Sequence, residues 1–255
     1  MIRVNLSHLL PLLLLLVFAS CTKKYKIEGS SSITSLDGKM LFLKSYKGGQ
    51  WINVDSAEVI HGLFTMKGKV DSAMLVTLYI DGESIMPLVL EDGKMDVSIT
   101  DSQLDARGTP LNDALYSFLA KRNAFELGIS ELDSKEARMV MDGADLTEVH
   151  DQLSKENAIL VKKMNDYVKD FISTNYNNVL GPGVFMMLCS SLPYPVMTPQ
   201  IEEIINNAPP TFQNNPLIRD FLVKAKENMQ LIDEHRRMEE NIAIKQQNQG
   251  DVKLP

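Results

Sequence analysis

Short segments with the hydrophobic pattern of β-strands follow one another from Tyr25 to about Thr100. Turn-forming pairs such as Asp81-Gly82 separate them, and glycine reaches the positive φ angles of tight turns at no steric cost. A series of short strands at regular spacing predicts an all-β domain over residues 25–106, folded as an antiparallel β-sandwich or barrel. The clearest strand segments are residues 39–46, 63–66, 73–80, 87–90 and 95–100.

After Thr109-Pro110 the apolar positions recur with the period of a helix. The longest amphipathic stretch runs from Asp145 to about Thr174, and Thr198-Pro199 has the pattern of an N-cap followed by proline at the first helical position. The sequence therefore predicts an α-helical domain over residues 107–247 and a flexible tail over residues 248–255. The fold class predicted for the whole chain is α+β.

An apolar run near the N-terminus predicts a signal peptide over residues 1–20. Arg3 precedes the run at residues 9–18, which ends in Ala19-Ser20 and then Cys21. A charged segment, an apolar segment and small residues before a cleavage site form a secretory signal. About ten apolar residues are too few for a spanning helix, which needs roughly twenty.

A cysteine directly after the small residues resembles the lipoprotein box of bacterial proteins. The resemblance implies cleavage before Cys21, lipidation of Cys21 by acyl chains such as palmitate, and a tether over residues 21–24. A plain secretory signal is the alternative. Acyl chains would supply the membrane binding, because several buried chains bind far more strongly than a few lysines. Since Thr22 rather than Asp follows Cys21, we expect the protein to be anchored in the outer membrane. We expect it to lie on the periplasmic face of that membrane.

The charge balance excludes a nucleic-acid partner. The chain has 26 basic and 33 acidic residues and a formal net charge of -7. Removal of the signal peptide takes away Arg3, which leaves 25 basic residues against 33 acidic ones and a net charge of -8. A net negative chain is repelled by phosphate backbones and by anionic lipid.

Cys189 remains without a partner once Cys21 carries lipid, so the mature chain cannot form an internal disulfide. The apolar neighbours of Cys189 at residues 186–188 predict burial, and burial raises the pKa of a thiol and makes it inert. We therefore interpret Cys189 as a core residue.

No residues have the spacing of a catalytic or metal site in the sequence. The histidines are His8, His61, His150 and His235, and no two of them stand at ligand spacing. The Asp-Gly pairs do not continue into calcium loops, and Ser30-Ser31-Ser32 lacks the glycines of a nucleophile elbow. The sequence predicts a protein that is not an enzyme, with no catalytic residues, no metal site and no cofactor.

Several motifs of the β region resemble the family called domain of unknown function 4369. The central motif is the Asp55-Ser56-Ala57 segment, followed by His61-Gly62, by Leu63-Phe64 and by Gly68. The flanking motifs are Ile27-Glu28-Gly29, Leu90-Glu91-Asp92-Gly93 and Gly108-Thr109-Pro110-Leu111-Asn112. The resemblance implies the N-terminal domain of extracytoplasmic thiol:disulfide interchange proteins, in which a thioredoxin-like domain follows. This chain has no Trp-Cys-x-x-Cys motif, so we carry over only the fold and the location.

These observations favour a membrane-anchored extracytoplasmic lipoprotein that binds or scaffolds a protein partner in the cell envelope. A binding module would present an apolar or aromatic-lined pocket, for which Tyr46 and Trp51 are candidates. A second hypothesis is an accessory subunit that recruits a separate thioredoxin-like protein. A third is an enzyme of unrecognised type with a site between the two domains. The accessory hypothesis predicts a partner-docking face on the last helix, formed by Leu217, Phe221, Leu222 and Met229.

Overall fold

The computed structural model of the chain describes residues 22–250. The chain divides into two compact units, one ending at Tyr116 and the other beginning at Ser117. The first, the β unit, contains eight strands in its described part and the start of a helix; the second is the helical unit. The α+β class and the order of strands before helices are confirmed. The division lies later than the predicted boundary between residues 106 and 107, inside the first helix.

The strands form two separate four-stranded sheets that do not close into a barrel. The first sheet has the order β4-β1-β7-β8 and the second the order β3-β2-β5-β6. The predicted antiparallel pairing holds at every strand pair except β1 with β7, which is parallel. The strands are β1 Lys24–Ser31, β2 Met40–Lys47, β3 Gln50–Glu58, β4 Leu63–Lys69, β5 Met74–Ile80, β6 Glu83–Leu90, β7 Gly93–Ile99 and β8 Leu104–Arg107.

Alternate residues of both sheets form the core of the β unit. Leu41 and Leu43 of β2 are buried, as are Val76 and Leu78 of β5, while the residues between them face outward. This period of two is the one predicted for sheets with one buried face.

Two glycines of the first sheet make room for aromatic rings on the neighbouring strand. Gly29 is the register partner of Phe64, and Gly68 is the register partner of Tyr25. A Cβ atom at Gly29 would lie 2.0 Å from Cζ of Phe64, and one at Gly68 would lie 2.6 Å from the Tyr25 hydroxyl oxygen. Each ring therefore covers the glycine opposite it, which explains why both positions need glycine.

The predicted turn at His61-Gly62 is a tight hairpin. His61 has a φ of 51° and Gly62 a φ of 73°, and Ile60 and Leu63 exchange two backbone hydrogen bonds of 2.8 and 3.0 Å across it. Two successive residues with positive φ form the type I′ turn that matches the twist of hairpin strands. His61 thus serves the turn, as its sequence context indicated.

The helices begin where side chains satisfy their free backbone N–H groups. The Asp145 carboxylate accepts from Thr147 and Glu148, and the Thr198 hydroxyl accepts from Ile201 with Pro199 at the first position. The cap at Thr198 is the one that the sequence predicted, and Asp145 stands at the predicted start of its helix. The helices are α1 Pro110–Met141, α2 Leu146–Thr174, α3 Leu180–Ser190, α4 Pro199–Asn207, α5 Pro210–Gln213 and α6 Pro216–Gly250.

Two helix ends differ from the expectation. α3 begins at Leu180, whose N–H donates 2.8 Å to the Asn178 side chain, so Gly181, Pro182 and Gly183 form its first turn rather than a break before it. Proline is tolerated there because its missing N–H would have no helical partner. α6 continues to Gly250, so the first three residues of the tail predicted at 248–255 belong to a helix. Residues 251–255 and the signal peptide lie outside the described residues.

Aromatic rings form much of the core of the helical unit. Phe185 packs edge-on against both Phe212 and Phe221, with 5.8 Å between ring centroids in each pair. Phe118 stacks on Phe171 at 4.3 Å. Such pairs contribute beyond the apolar area that they bury. None of the helices within residues 22–250 has the length and apolar character needed to cross a membrane.

Candidate functional site

Asp55, the acidic residue of the family motif, has a structural role in the β unit. Its carboxylate accepts a 2.8 Å hydrogen bond from the Tyr25 hydroxyl and another of 2.8 Å from the Ser56 N–H. Tyr25 belongs to β1 and Asp55 to β3, so the contact joins the two sheets. Burial, followed by the neighbouring carboxylate, holds the pKa of Tyr25 well above its usual value. A hydroxyl held neutral and committed as a donor is a structural group rather than an acid catalyst.

The motif from Gly108 to Asn112 also has a structural role, because its side chains form hydrogen bonds with the β unit. Asn112 is fully buried, and its amide accepts 2.9 Å from the Val89 N–H and donates 2.8 Å to the Val89 carbonyl. β6 is an edge strand, so the Asn112 side chain pairs with backbone groups that no neighbouring strand satisfies. The same amide donates 2.8 Å to the Thr109 hydroxyl, and Glu91 accepts from the N–H groups at the start of α1.

An exposed aromatic patch lies on the outer face of the second sheet. We define it as the rings of Tyr46, Trp51 and Tyr79 together with the Lys44 ammonium group. Trp51 contacts Tyr46 and Tyr79 edge-on, at centroid distances of 5.3 and 5.5 Å, and Lys44 lies 4.5 Å above the Tyr79 ring. Trp51 is 51% exposed and Tyr46 43%. The cation and the ring contacts hold the patch in one arrangement although it faces solvent.

The patch borders an edge strand whose first half is exposed on both faces. β3 ends the second sheet, and its first five residues, which include Trp51, Ile52 and Val54, are all exposed. Leu43 pairs with Asp55 and Lys44 with Asn53, so Val54 is the extra residue of a β-bulge. A half-buried strand would alternate between exposed and buried side chains, whereas β3 has none that are fully buried.

One of the four residues of the partner-docking face predicted on α6, Phe221, belongs to the core. Phe221 is only 6% exposed and packs against Phe185, so the prediction of an exposed apolar patch is wrong at that residue. Leu217, Leu222 and Met229 are half-buried. The sequence correctly predicted an amphipathic α6, but the buried side chains of this helix pack against the protein's own helices. Within residues 216–242 of α6, the large apolar side chains that are exposed are Val223, Leu231, Ile232, Met238 and Ile242.

The remaining reactive groups are dispersed. Cys189 is buried, and burial raises the pKa of its thiol to about 12, as expected of a core cysteine. His150 lies 3.2 Å from Glu136, and His235 lies 3.5 Å from Glu239, both on the protein surface. Within residues 22–250 no three His, Cys, Asp or Glu side chains converge in a way that could hold a metal ion. Cys21 lies outside the described residues, so its lipidation stays a prediction.

Sequence reasoning named Tyr46 and Trp51 but missed Tyr79 and Lys44. The two aromatic residues stand close together in the chain, whereas Tyr79 joins them only because β5 pairs with β2. The signal that could have found it is the outward position of Tyr79 between buried Leu78 and the turn at Asp81-Gly82.

Comparison with known sequences locates a family domain in the first part of the chain. Among curated proteins, none matches this chain. Residues 25–115 match the family model described as Domain of unknown function (DUF4369), which covers all eight strands of the β unit and the start of α1. The matched range includes the Tyr25–Asp55 bond and the Asn112–Val89 pair, both of which stabilise the fold. Residues 25–115 of the β unit are thus similar to the DUF4369 family.

Proposed function

We propose that this protein is a lipoprotein of the cell envelope whose DUF4369 domain is a binding or scaffold module for another protein. The proposed membrane anchor is lipidated Cys21, because residues 9–21 have the pattern of a lipoprotein signal. The binding surface is the aromatic patch with the exposed edge of β3. The observation that supports this function best is the exposed Trp51 ring, held between Tyr46 and Tyr79 on an unpaired edge strand.

β3 differs from the other sheet edges in the described β unit. Natural edge strands are protected from further pairing by lysine, proline or short length. β4 carries Lys67 and Lys69, β6 contains Pro87, and β8 has four residues. β3 is nine residues long and contains no lysine, arginine or proline; its bulge at Val54 is the protective feature that it does have.

An extended segment of a partner protein is the ligand that this edge fits. A peptide that adds to a sheet edge gains backbone hydrogen bonds from the strand and specificity from its alternate side chains. An aromatic or aliphatic side chain of that segment would pack on Trp51, because large aromatic rings contribute most to such contacts. Lys44 and Lys47 form no ion pair with the described residues, so a carboxylate on the segment would complement them.

The test is photocrosslinking in native membranes from a reactive amino acid placed at Asn53, followed by mass spectrometry of the captured protein. The captured species should be lost in Trp51→Ala. The matched control is Leu63→Ala, which also removes an exposed apolar side chain from the β unit. Capture that survives Trp51→Ala would disprove this surface as the binding site. Capture of a Cys-x-x-Cys protein through the same surface would favour the accessory redox role.

A purified partner allows a direct measurement, because Trp51 is the only tryptophan in the chain. Packing of a peptide on an exposed indole removes water from it, so the emission of Trp51 should shift to shorter wavelength and titrate with the partner. An unshifted emission at saturating partner would place the contact elsewhere.

A further inference from the structure

The helical unit contains a cavity that the proposed function does not use. Its volume is about 610 Å³, and α1, α2, α3 and α4 surround it. Small-molecule sites take roughly 300–1,000 Å³ and are mainly apolar with a few polar groups. The cavity therefore has the size of a ligand site.

Each of the four helices contributes one buried apolar side chain to the wall. These are Phe118 of α1, Val168 of α2, Val184 of α3 and Ile201 of α4. Half-buried Met164, Met187 and Leu188 extend the apolar surface toward the opening. Thioether side chains adapt their shape to a ligand more readily than branched ones do. The body of a ligand in this cavity would be apolar.

Gln200 supplies an unsatisfied polar group beside these apolar side chains. Its side-chain nitrogen is buried and has no hydrogen-bond partner in the part of the chain that the structure describes. Gln200 is also part of the cavity wall. Buried donors in folded proteins are normally paired, and a ligand carbonyl would pair this one.

Four of the other five polar side chains of the cavity, all except Asn165, are already engaged. Arg122 donates 2.6 Å to Glu126, so the two opposite charges compensate each other. The Ser191 hydroxyl donates to the Leu188 carbonyl, and the Thr198 hydroxyl accepts from the Ile201 N–H. A compensated ion pair gives little preference for either sign of charge on a ligand, which favours a neutral polar group.

We infer that this cavity binds a small neutral amphipathic molecule, whose apolar body packs on Phe118, Val168, Val184 and Ile201 and whose carbonyl or amide group pairs with Gln200. The binding is independent of the β3 edge, because every residue that lines the cavity belongs to the helical unit.

The test uses prodan, a neutral naphthalene with one ketone, whose emission shifts to the blue in apolar surroundings. The protein is the chain from residue 21 with Cys21→Ser, so that no detergent is needed. Prodan should bind saturably at one site per chain, and the methyl groups of Met164 and Met187 should shift in the NMR spectrum. Absence of saturable binding would overturn the inference.

Two variants locate the probe in the cavity. Ser191→Trp fills the opening from the end of α3 and should weaken prodan binding about tenfold or more. Ser190→Trp places the same ring on the exposed neighbour outside the lining and should leave binding unchanged. Binding that survives Ser191→Trp, with helical circular dichroism intact, would exclude this cavity.

A third comparison tests the chemistry of the ligand. Gln200→Leu should weaken the binding of prodan but not that of the same naphthylamine without the ketone, because only prodan can accept from the amide. The anionic dye anilinonaphthalene sulfonate should bind more weakly than prodan. Equal losses for both naphthylamines in Gln200→Leu, or tighter binding of the anion, would contradict the assignment of a neutral carbonyl ligand.

Discussion

The hydroxyl of Tyr25 in β1 donates a 2.8 Å hydrogen bond to the carboxylate of Asp55 in β3, and so joins the two sheets of the β unit. The Tyr25 ring also covers Gly68 on β4. One side chain thus connects a strand of the first sheet, the edge of the second and a glycine of the family motif.

Replacing Tyr25 by phenylalanine keeps the ring over Gly68 and removes the bond to Asp55. Hydrogen bonds to charged groups contribute about 1.5–3 kcal/mol, so we expect Tyr25→Phe to lower the free energy of unfolding by about 2 kcal/mol in urea denaturation at pH 7. Tyr46→Phe, at an exposed ring, is the control and should change stability by less than about 0.5 kcal/mol. If Tyr25→Phe unfolded at the same urea concentration as the wild type, the Tyr25–Asp55 hydrogen bond would contribute nothing to stability.

The same bond makes the stability of the β unit sensitive to alkali. The folded-state pKa of Tyr25 is raised, so its contribution is complete below the ordinary tyrosine pKa of about 10 and is lost as the pH rises through the folded value. Unfolding free energies measured between pH 8 and pH 11 should therefore fall less steeply in Tyr25→Phe than in the wild type. Parallel curves for the two proteins would contradict this assignment.

Asn112→Ala should be among the most destabilising single substitutions in the β unit. The change leaves the N–H and the carbonyl of Val89 without partners in a buried position. Each unsatisfied buried group costs about 1–3 kcal/mol, so we expect a loss of about 3 kcal/mol in thermal or urea unfolding. Asn207→Ala, which removes an exposed side-chain bond to the Glu203 carbonyl, should cost less than about 0.5 kcal/mol. Similar losses at the two positions would refute the role of Asn112.

The sequence predicted those parts of the fold that depend on neighbouring residues. The cap at Asp145 places the start of α2, and the turn at His61-Gly62 requires positive φ that glycine permits. The strand β8 was missed because four residues are too short to show a period. Hydrophobic alternation did not indicate β3, because its first five residues are all exposed. The Gly181-Pro182-Gly183 segment was interpreted as a break because the bond from the Leu180 N–H to the Asn178 side chain is recognisable only in the folded chain.

Features that depend on contacts distant in sequence could not be predicted from periodicity. An amphipathic face on α6 shows which side chains avoid water, but it does not distinguish a partner from the protein's own core. Phe221 therefore entered the docking prediction although it packs on Phe185. The cavity beside Gln200 forms only where four helices meet, so no sequence pattern within a single helix predicts it.

Cys189 should be inert in the native protein. Burial raises its thiol pKa to about 12, so at pH 8 its thiolate fraction is roughly a thousandfold below that of a free cysteine. In a chain that begins at Thr22, Cys189 is the single cysteine, and Ellman's reagent should label it only at the rate of unfolding. Labelling should become fast in urea. Fast labelling without urea would show that the thiol is accessible and that its burial is transient.

Replacing Cys21 by serine tests the anchor on which the proposed location rests. If residues 9–21 form a lipoprotein signal, the wild type should incorporate labelled palmitate and sediment with membranes, because several acyl chains bind a bilayer almost irreversibly. Cys21→Ser should lose the label and the membrane fraction. Cys189→Ser should keep both, since Cys189 is buried in the helical unit. Membrane association of Cys21→Ser in a processed form would contradict the acyl anchor and would favour attachment through a partner, which the Trp51→Ala variant can then distinguish.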